Sequence, residues 1–440
     1  MYRSLRLLLS RQPAVRPRNS ALTEKLIAWL EKIERQHPRE IDLDLERVRP
    51  VFGRLRLRSR HVPTVTVAGT NGKGSCVAYL DTIFRAAGLR TGVYTSPHLQ
   101  RFNERICIDG QPAEDAAIIT ALEQVEAARE PATLTYFEHS TLAALWLFSE
   151  AAVDVRVLEV GMGGRLDAVN LVDADVAVIT SIDLDHQGWL GDDRTAIARE
   201  KAGVLRGGRP GIIGDPDPPA TIAQVADDCG ARLLYLGQDF DFARSDAAWD
   251  WRGTVTAYDD LPRPGFGGPE QYANAACALA AVEQMAPQVR VDRDMITAGL
   301  AMARLPGRLQ HLRGANDWIL DVAHNGAAAK KLASALTAEP RRTIAVVGMV
   351  KDKPVEAFAT ALDSVVAEWV AVSDGHPRSL PPPELAARLE SCVAGPVSSA
   401  DSIENGLVQA AAAAAGRSRI LVSGSFHVVG PALHHLSQHA

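Results

Sequence analysis

Residues 62–87 constrain the fold more than any other stretch. Val62–Ala68 (VPTVTVA) alternates β-branched residues and stops at Gly69, which is a strand signal. Gly69–Ser75 (GTNGKGS) follows. Ser75–Ala87 then sets Val77, Leu80, Ile83, Phe84 and Ala87 at helical spacing, ahead of Gly88. Strand, glycine loop and helix in that order make an anion site. The glycines let backbone N–H groups approach a phosphate, and the helix N-terminus adds partial positive charge. Lys73 can reach the outer phosphates, and Ser75 can offer its hydroxyl to a magnesium ion. The loop is shorter at its front than G-x-x-x-x-G-K-[ST], and Gly74 separates Lys73 from Ser75. The Lys and Ser in a strand-to-helix setting favour phosphate binding over an ordinary glycine-rich turn.

Short β-rich runs recur at Thr91–Tyr94, Val155–Val160, Val176–Thr180 and Pro210–Ile213. Helical patterns such as Ser140–Ala151 and Arg194–Leu205 lie between them. This alternation predicts a mainly parallel sheet covered on both faces. Trp249–Pro269, rich in Gly, Pro and aromatics, breaks the rhythm and reads as hairpin or loop; Gln271–Met285 reads as an alanine-rich helix. A second alternating series follows residue 304. Its strands are Trp318–Val322, Thr343–Val347, Trp369–Val372 and Ile420–Ser423, with helices over Val355–Val366 and Gln409–Ala415. The 440 residues suit two or three domains. The expected division is a basic tail at 1–20, a phosphate-loop domain over 21–290, a junction near 288–304, and a smaller α/β domain over 304–440.

Composition removes several classes. At 47% hydrophobic and 23% charged, the chain is neither disordered nor collagen-like. A net charge of −6 does not suit a dedicated nucleic-acid binder. Five cysteines, at 76, 107, 229, 277 and 392, form no C-x-x-C pair, so neither a disulfide framework nor a structural zinc site is expected. Reduced thiols fit the cytoplasm. No apolar run reaches about 18 residues, so no membrane span is expected. The stretch Met1–Ser20 carries five arginines and no acid, which reads as a frayed basic tail rather than a targeting peptide.

Residues suited to metal and phosphate chemistry stand at strand ends. Glu159 ends VRVLEV, Ser96 lies in TSPHL after Thr91–Tyr94, and His186 follows VAVITSIDLD. The carboxyl ends of parallel strands converge on one crevice. Oxygen ligands suit Mg²⁺, for which a histidine is less usual. Asp183 and Asp185 can equally be the acids of this segment, and spacing does not choose among them. Lys201, in AREKAGVLR, reads as a surface lysine. In the second half Arg308 (LPGR) can neutralise phosphate, Asp321 (DVAHN) can accept from ribose hydroxyls, and Gly424 and Ser425 (SGSFH) can bind a carboxylate.

Together VAGTNGKGS, TSPHL, TYFEHSTLAALWLF, LEVGMGGRLDAVN, TSIDLDHQGWLG, AREKAG, LPGR, DVAHN and SGSFH resemble the folylpolyglutamate synthases of the Mur-ligase superfamily. The match runs in order from about residue 21 to 430. It implies a Mur-ligase-type P-loop domain with a mainly parallel sheet, followed by a smaller Rossmann-like α/β domain. IDLDLERV (Ile41–Val48) and TYFE (Thr135–Glu138) are similar to the bacterial form that is also a dihydrofolate synthase. In that form the matching segments contact dihydropteroate. The resemblance thereby nominates Ile41, Asp42, Leu43, Thr135, Tyr136, Phe137, Glu138, Leu166, Asp167 and Ala168 as the pterin site. It implies Ser96, Glu159 and His186 as magnesium ligands, with Ser75 near a second metal position. Lys201 matches a lysine that is carboxylated in the family, which needs an amine well below its usual pKa of about 10.4. Gly69, Thr70, Asn71, Gly72, Lys73, Gly74, Ser75, Asn274, Arg308 and Asp321 match ATP contacts. His324 and Ser425 match the region that receives glutamate.

The implied activity is an ATP-dependent amide ligase with two Mg²⁺ ions and ATP as a substrate. It would join L-glutamate to 7,8-dihydropteroate and to the γ-carboxylate of folates through an acyl phosphate. Lys73, Lys201 and His324 are its expected catalytic side chains. A monomer in the cytoplasm is expected, with neither nucleic acid nor membrane as partner. Three alternatives stand beside it. A cell-wall Mur ligase usually carries a full UDP-sugar domain ahead of the P-loop, and here the loop already starts at Gly69. A folylpolyglutamate synthase without the first activity is disfavoured by IDLDLERV and TYFE. A silent nucleotide-binding regulator would be expected to lack a residue such as Lys73, Glu159, His186 or Lys201.

Overall fold

The computed structural model describes residues 20–438, apart from 59 and 246. The arginine-rich tail at 1–20 lies outside them, except for its last residue. An eight-stranded sheet has the order β4-β3-β2-β5-β1-β6-β7-β8. Its strands are β1 (Thr64–Ala68), β2 (Thr91–Tyr94), β3 (Ile106–Ile108), β4 (Gln111–Pro112), β5 (Val155–Glu159), β6 (Val176–Ile179), β7 (Pro210–Ile213) and β8 (Arg232–Tyr235). All pairs are parallel except β2–β3 and β3–β4, which form an antiparallel edge. Strand β1 is central. Val67 pairs with Glu159 on one side and Val178 on the other, so the ends of β5 and β6 flank the glycine loop. Both faces of β1 are covered: Val65 and Val67 belong to one apolar cluster, Ala68 to the opposite one. That double burial explains its unbroken β-branched run.

Residues 249–269, expected as hairpin or loop, are more ordered than that. Strands β9 (Asp241–Arg244), β10 (Ala248–Arg252) and β11 (Ala257–Pro262) make a three-stranded antiparallel sheet. Its Trp249 and Trp251 are buried, and they donate indole N–H bonds to the carbonyls of Pro262 and Ala276. The expected junction near 288–304 also differs. Arg293–Met302 is a helix packed on the P-loop helix Lys73–Ala86. A Cβ at Gly299 would come within 2.6 Å of the Ile83 Cα, so this helix shares the first body's core. The chain passes to the second body only after Ala303.

The second body holds a six-stranded sheet of order β12-β13-β17-β14-β15-β16. Its strands are β12 (Gln310–Arg313), β13 (Asp317–Leu320), β14 (Thr343–Val347), β15 (Glu368–Ala371), β16 (Val397–Ser399) and β17 (Arg419–Ser423). Only β12 runs antiparallel. Ile344 and Val346 point into one apolar layer, Ala345 and Val347 into the other. The segments that follow β13 and β17 share a cleft with the glycine loop of the first sheet.

Candidate active site

The loop geometry demands its glycines. Gly69 has φ 143° and Gly72, the N-cap of the P-loop helix, has φ 89°. A Cβ would lie 2.0 Å from Thr180 Oγ1 at the first and 2.3 Å from Asn274 Oδ1 at the second. Lys73 Nζ donates to the carbonyls of Gly69 (3.0 Å) and Thr70 (3.3 Å). Burial lowers the Lys73 ammonium, against the pull of Glu159 and Asp185. Lys201 is not a surface side chain: it is 5% exposed and donates to the Gly69 carbonyl at 2.9 Å. Burial, and then the charge of Lys73, bring its amine down to about 7. A large share is therefore neutral at neutral pH, the form that can add CO₂.

Glu159 and Ser96 meet beside the loop, where the Ser96 backbone N–H donates to Glu159 Oε2 at 3.4 Å. Burial raises the Glu159 carboxyl; Lys73 and Arg308 oppose it. A buried carboxylate holding one long hydrogen bond suits a cation partner. Among the described residues no group of three His, Cys, Asp or Glu side chains lies at metal spacing. An ion beside Glu159 would meet fewer than three such side chains, so serine hydroxyls, water and substrate oxygens would complete its set, as Mg²⁺ favours. His186 stands in the left-handed region (φ 52°), and burial lowers its imidazole to about 4, leaving it neutral as a ligand requires.

Between the two acids the sequence left open, the structure draws a clear difference. Asp183 Oδ1 accepts from the adjacent Leu184 N–H at 2.8 Å. Asp185 is buried and bridges the bodies: Lys353 Nζ lies 2.5 Å from its Oδ1, and Asn325 Nδ2 donates to its Oδ2 at 3.2 Å. Burial would raise this carboxyl. The His324 contact, Lys353 and His186 outweigh that and hold it well below the usual range. Asn325 also exchanges amide hydrogen bonds with Asn71 in the P-loop, at 3.2 and 3.4 Å. Lys353 Nζ is 3.3 Å from His186 Nε2. Arg308 lies over the Phe426 ring at 5.2 Å. Asp321 accepts from Leu309 N and Ala323 N at 2.8 and 2.9 Å, fixing the turn that carries Arg308.

A second cavity, about 600 Å³, adjoins this cleft. All ten nominated pterin residues line it, together with Ser425. Its three nominated carboxylates are not equivalent. Asp42 Oδ2 takes Arg47 Nη1 at 2.6 Å, and Glu138 Oε1 takes Arg47 Nη2 at 2.5 Å. Glu138 Oε2 also accepts from Thr135 N at 2.7 Å, closing a capping box at the helix Tyr136–Glu150. Asp167 has no cationic partner within ion-pair distance among the described residues. It accepts from the backbone N–H groups of Met162 and Val169, both at 2.9 Å. Burial raises its carboxyl to about 6. Of the three nominated acids, Asp167 is thus the one with no cation beside it among the described residues. Ser96, Gly161, Met162, His186, His324 and Phe426 line both cavities, so the two adjoin along a common wall.

Every nominated P-loop, metal and ATP residue lines the first cavity, and His324 lies at the shared wall. Sequence reasoning missed Arg47, Arg105, Asn325 and Lys353 as members of the site. Asn325 was within reach, because it follows His324 in DVAHN and caps the helix Gly326–Thr337 through its side chain. Lys353 follows β14 in an unmarked charged stretch, KDKP, and carried no signal.

A P-loop on one α/β body, facing basic and acidic groups on a second, defines an ATP-dependent ligase of the Mur type. Residues 67–214 match the Mur ligase middle domain, and residues 307–426 match the Mur ligase glutamate ligase domain. The chain belongs to the dihydrofolate synthase/folylpolyglutamate synthase family. It is 43% identical over 406 residues to that enzyme of Escherichia coli (strain K12), covering 92% of this chain and 94% of the relative. The Mycobacterium tuberculosis relative is 36% identical over 371 residues, covering 77% and 76%. Among solved structures, E. coli FolC in complex with DHPP and ADP gives a TM-score of 0.89 at 42% identity, covering 94% of this chain and 98% of that one. The Yersinia pestis enzyme complexed with AMPPNP and Mn gives 0.86 at 42%, with the same coverage. Among the described residues no helix is long and apolar enough to cross a membrane.

Proposed function

We propose that this chain joins L-glutamate to 7,8-dihydropteroate, forming dihydrofolate, and to the γ-carboxylate of folates, forming folylpolyglutamates. A monomeric cytoplasmic enzyme with bodies at 20–303 and 304–438 fits this role. One observation carries it: the phosphate-loop cleft and an aromatic pocket that all the nominated pterin residues line share one wall. An acid seated in the pocket can therefore reach the γ-phosphate of ATP.

A carboxylate oxygen of the acceptor attacks the γ-phosphorus, the bond to ADP breaks, and an acyl phosphate forms. The amine of glutamate then attacks the acyl carbon. The carbon–oxygen bond to phosphate breaks, phosphate leaves and the amine proton is released. Acceptor and triphosphate are both anions. Lys73 and Arg308 offset their repulsion and stabilise charge that develops during transfer. Ser96, Glu159 and His186 would hold one Mg²⁺ and Ser75 would adjoin a second; bound there, the metal supplies Lewis-acid neutralisation of phosphate oxygens. Lys201, carboxylated, would turn a cation into an anion beside the loop. Asn274 and Asp321 hold the nucleotide side, Asp167 meets the pterin ring, and His324 and Ser425 receive glutamate. Burying the acyl phosphate between two bodies keeps water from it.

The test is ADP release from purified protein with ATP, Mg²⁺ and L-glutamate, with 7,8-dihydropteroate, tetrahydrofolate or neither. Turnover with both is expected. Turnover with tetrahydrofolate alone would reduce the activity to chain extension. Silence with both, despite ATP binding, would refute the assignment.

A further inference from the structure

Among the described residues Arg105 is a cation with no carboxylate at ion-pair distance. It closes the short helical turn Phe102–Arg105 and lines the aromatic cavity. Its Nε donates to His98 Nδ1 at 2.8 Å. Its guanidinium lies over the rings of Tyr136 (5.3 Å) and Phe102 (5.8 Å). Among the described residues that is the side chain's one hydrogen bond, and no carboxylate stands within ion-pair distance of it. The nearest acid in sequence, Glu104, is already committed. Its carboxylate accepts from the backbone N–H groups of Leu99 (2.7 Å), Gln100 (3.0 Å) and Arg101 (2.8 Å).

Arg105 is half-buried, so its head loses part of its hydration with no ionic partner among the described residues to replace it. The rings supply a flat apolar seat, and cation–π attraction offsets only part of the lost hydration. The planar fork keeps its Nη groups for a bidentate acceptor, which a carboxylate matches. Position agrees with that role. Arg105 lines the ring pocket, and its charge still reaches the buried Glu159 carboxyl of the phosphate cleft, which it helps to lower. Ser96 and Pro97, a few residues before it, line both cavities.

We propose that Arg105 binds the acceptor carboxylate, the group that attacks the γ-phosphate, and aims it from the pterin pocket toward the nucleotide. This rests on the function proposed above. The ring would be held by Asp167 and the apolar walls, and the acid end by Arg105. With the ring held there, the contact is to the benzoate carboxylate of dihydropteroate; the side-chain carboxylate of a folate's last glutamate stands a glutamyl residue farther from the ring.

The test compares binding of 7,8-dihydropteroate with binding of its neutral carboxamide, by fluorescence titration of wild type, Arg105→Gln and Arg105→Lys. Arg105→Gln is expected to weaken the acid by about 10- to 100-fold, the range for a charged hydrogen-bonded contact. Carboxamide binding and the KM for ATP should stay within about two-fold of wild type. Arg105→Lys should regain part of the loss for the acid alone. Equal losses for acid and amide would overturn the proposal and leave Arg105 as a wall of the ring pocket. No loss for either would mean that it does not touch the substrate. Wild type that binds neither compound would instead refute the pterin pocket, and with it the function on which this contact rests.

Discussion

Arg47 ties together the two segments that line the pterin cavity, and removing it should undo both. Its guanidinium spans Asp42 at 2.6 Å and Glu138 at 2.5 Å, with side-chain exposures of 17% for Arg47, 23% for Asp42 and 5% for Glu138. Breaking a fully buried pair costs about 3–5 kcal/mol, chiefly through the charge left behind. Only the Glu138 arm is that deeply buried. The Asp42 arm is partly hydrated and contributes less. Arg47→Met should therefore cost about 2–3 kcal/mol, or about 3–5 °C in melting temperature for a body of this size. Burial already raises the Glu138 carboxyl in the presence of Arg47, and losing the cation must raise it further. A carboxyl raised in the folded state binds more protons there than in the unfolded state. Its contribution is present at low pH and lost as pH rises. The Arg47→Met deficit should thus be smaller at pH 5 than at pH 8. Arg47→Met/Glu138→Gln, which leaves no bare charge, should regain most of the loss. Melting curves of the four-member cycle at both pH values measure this. The reasoning is refuted by a single variant within about 0.5 kcal/mol of wild type, the range of an ordinary surface substitution. A double variant no better than the single refutes it equally. The KM for dihydropteroate should rise in Arg47→Met while that for ATP stays unchanged.

Two further outcomes are expected. Lys201, with its amine near 7, should take up ¹³CO₂ to an extent that rises between pH 6 and 8, seen as a carbamate resonance that Lys201→Ala lacks. The sign follows from the depressed amine, which becomes neutral as pH passes 7, and Lys201→Ala should lose about 100-fold or more in kcat. Lys353→Met leaves the buried Asp185 without its cation across the body interface. It should lower kcat/KM by about 100-fold with ATP affinity within a few-fold of wild type, the loss expected for an uncompensated buried charge. Steady-state kinetics with each substrate varied in turn check it.

Much of the nucleotide side was legible in sequence because it is local. Gly69, Gly72, Lys73 and Ser75 act within one short loop, and the strand-to-helix order that gives them meaning has its own periodicity. The inner strands of both sheets (β1, β2, β5, β6, β7 and β13, β14, β15, β17) stood out for the same reason, while β3, β4, β8, β12 and β16 did not. Less was legible where order comes from partners far along the chain. The reading of 249–269 as hairpin or loop caught the β10–β11 pair at most; nothing local marked β9, or the acceptors that the tryptophans find on Pro262 and Ala276. The helix Arg293–Met302 reads as part of a linker because its tight contact, Gly299 on Ile83, reaches back to the P-loop helix near the start of the first body.

By itself the sequence determined the α/β alternation, the phosphate loop and, through long motifs in order, the family. Tertiary structure alone decided which of several plausible charges carry which role. It put Asp185 rather than Asp183 between the bodies, spent Asp42 and Glu138 on Arg47, and left Asp167 and Arg105 without ionic partners among the described residues. The physical reason is that a charge is defined by what desolvates and neutralises it. Those neighbours come from separate elements, which only the folded chain brings within a few ångströms.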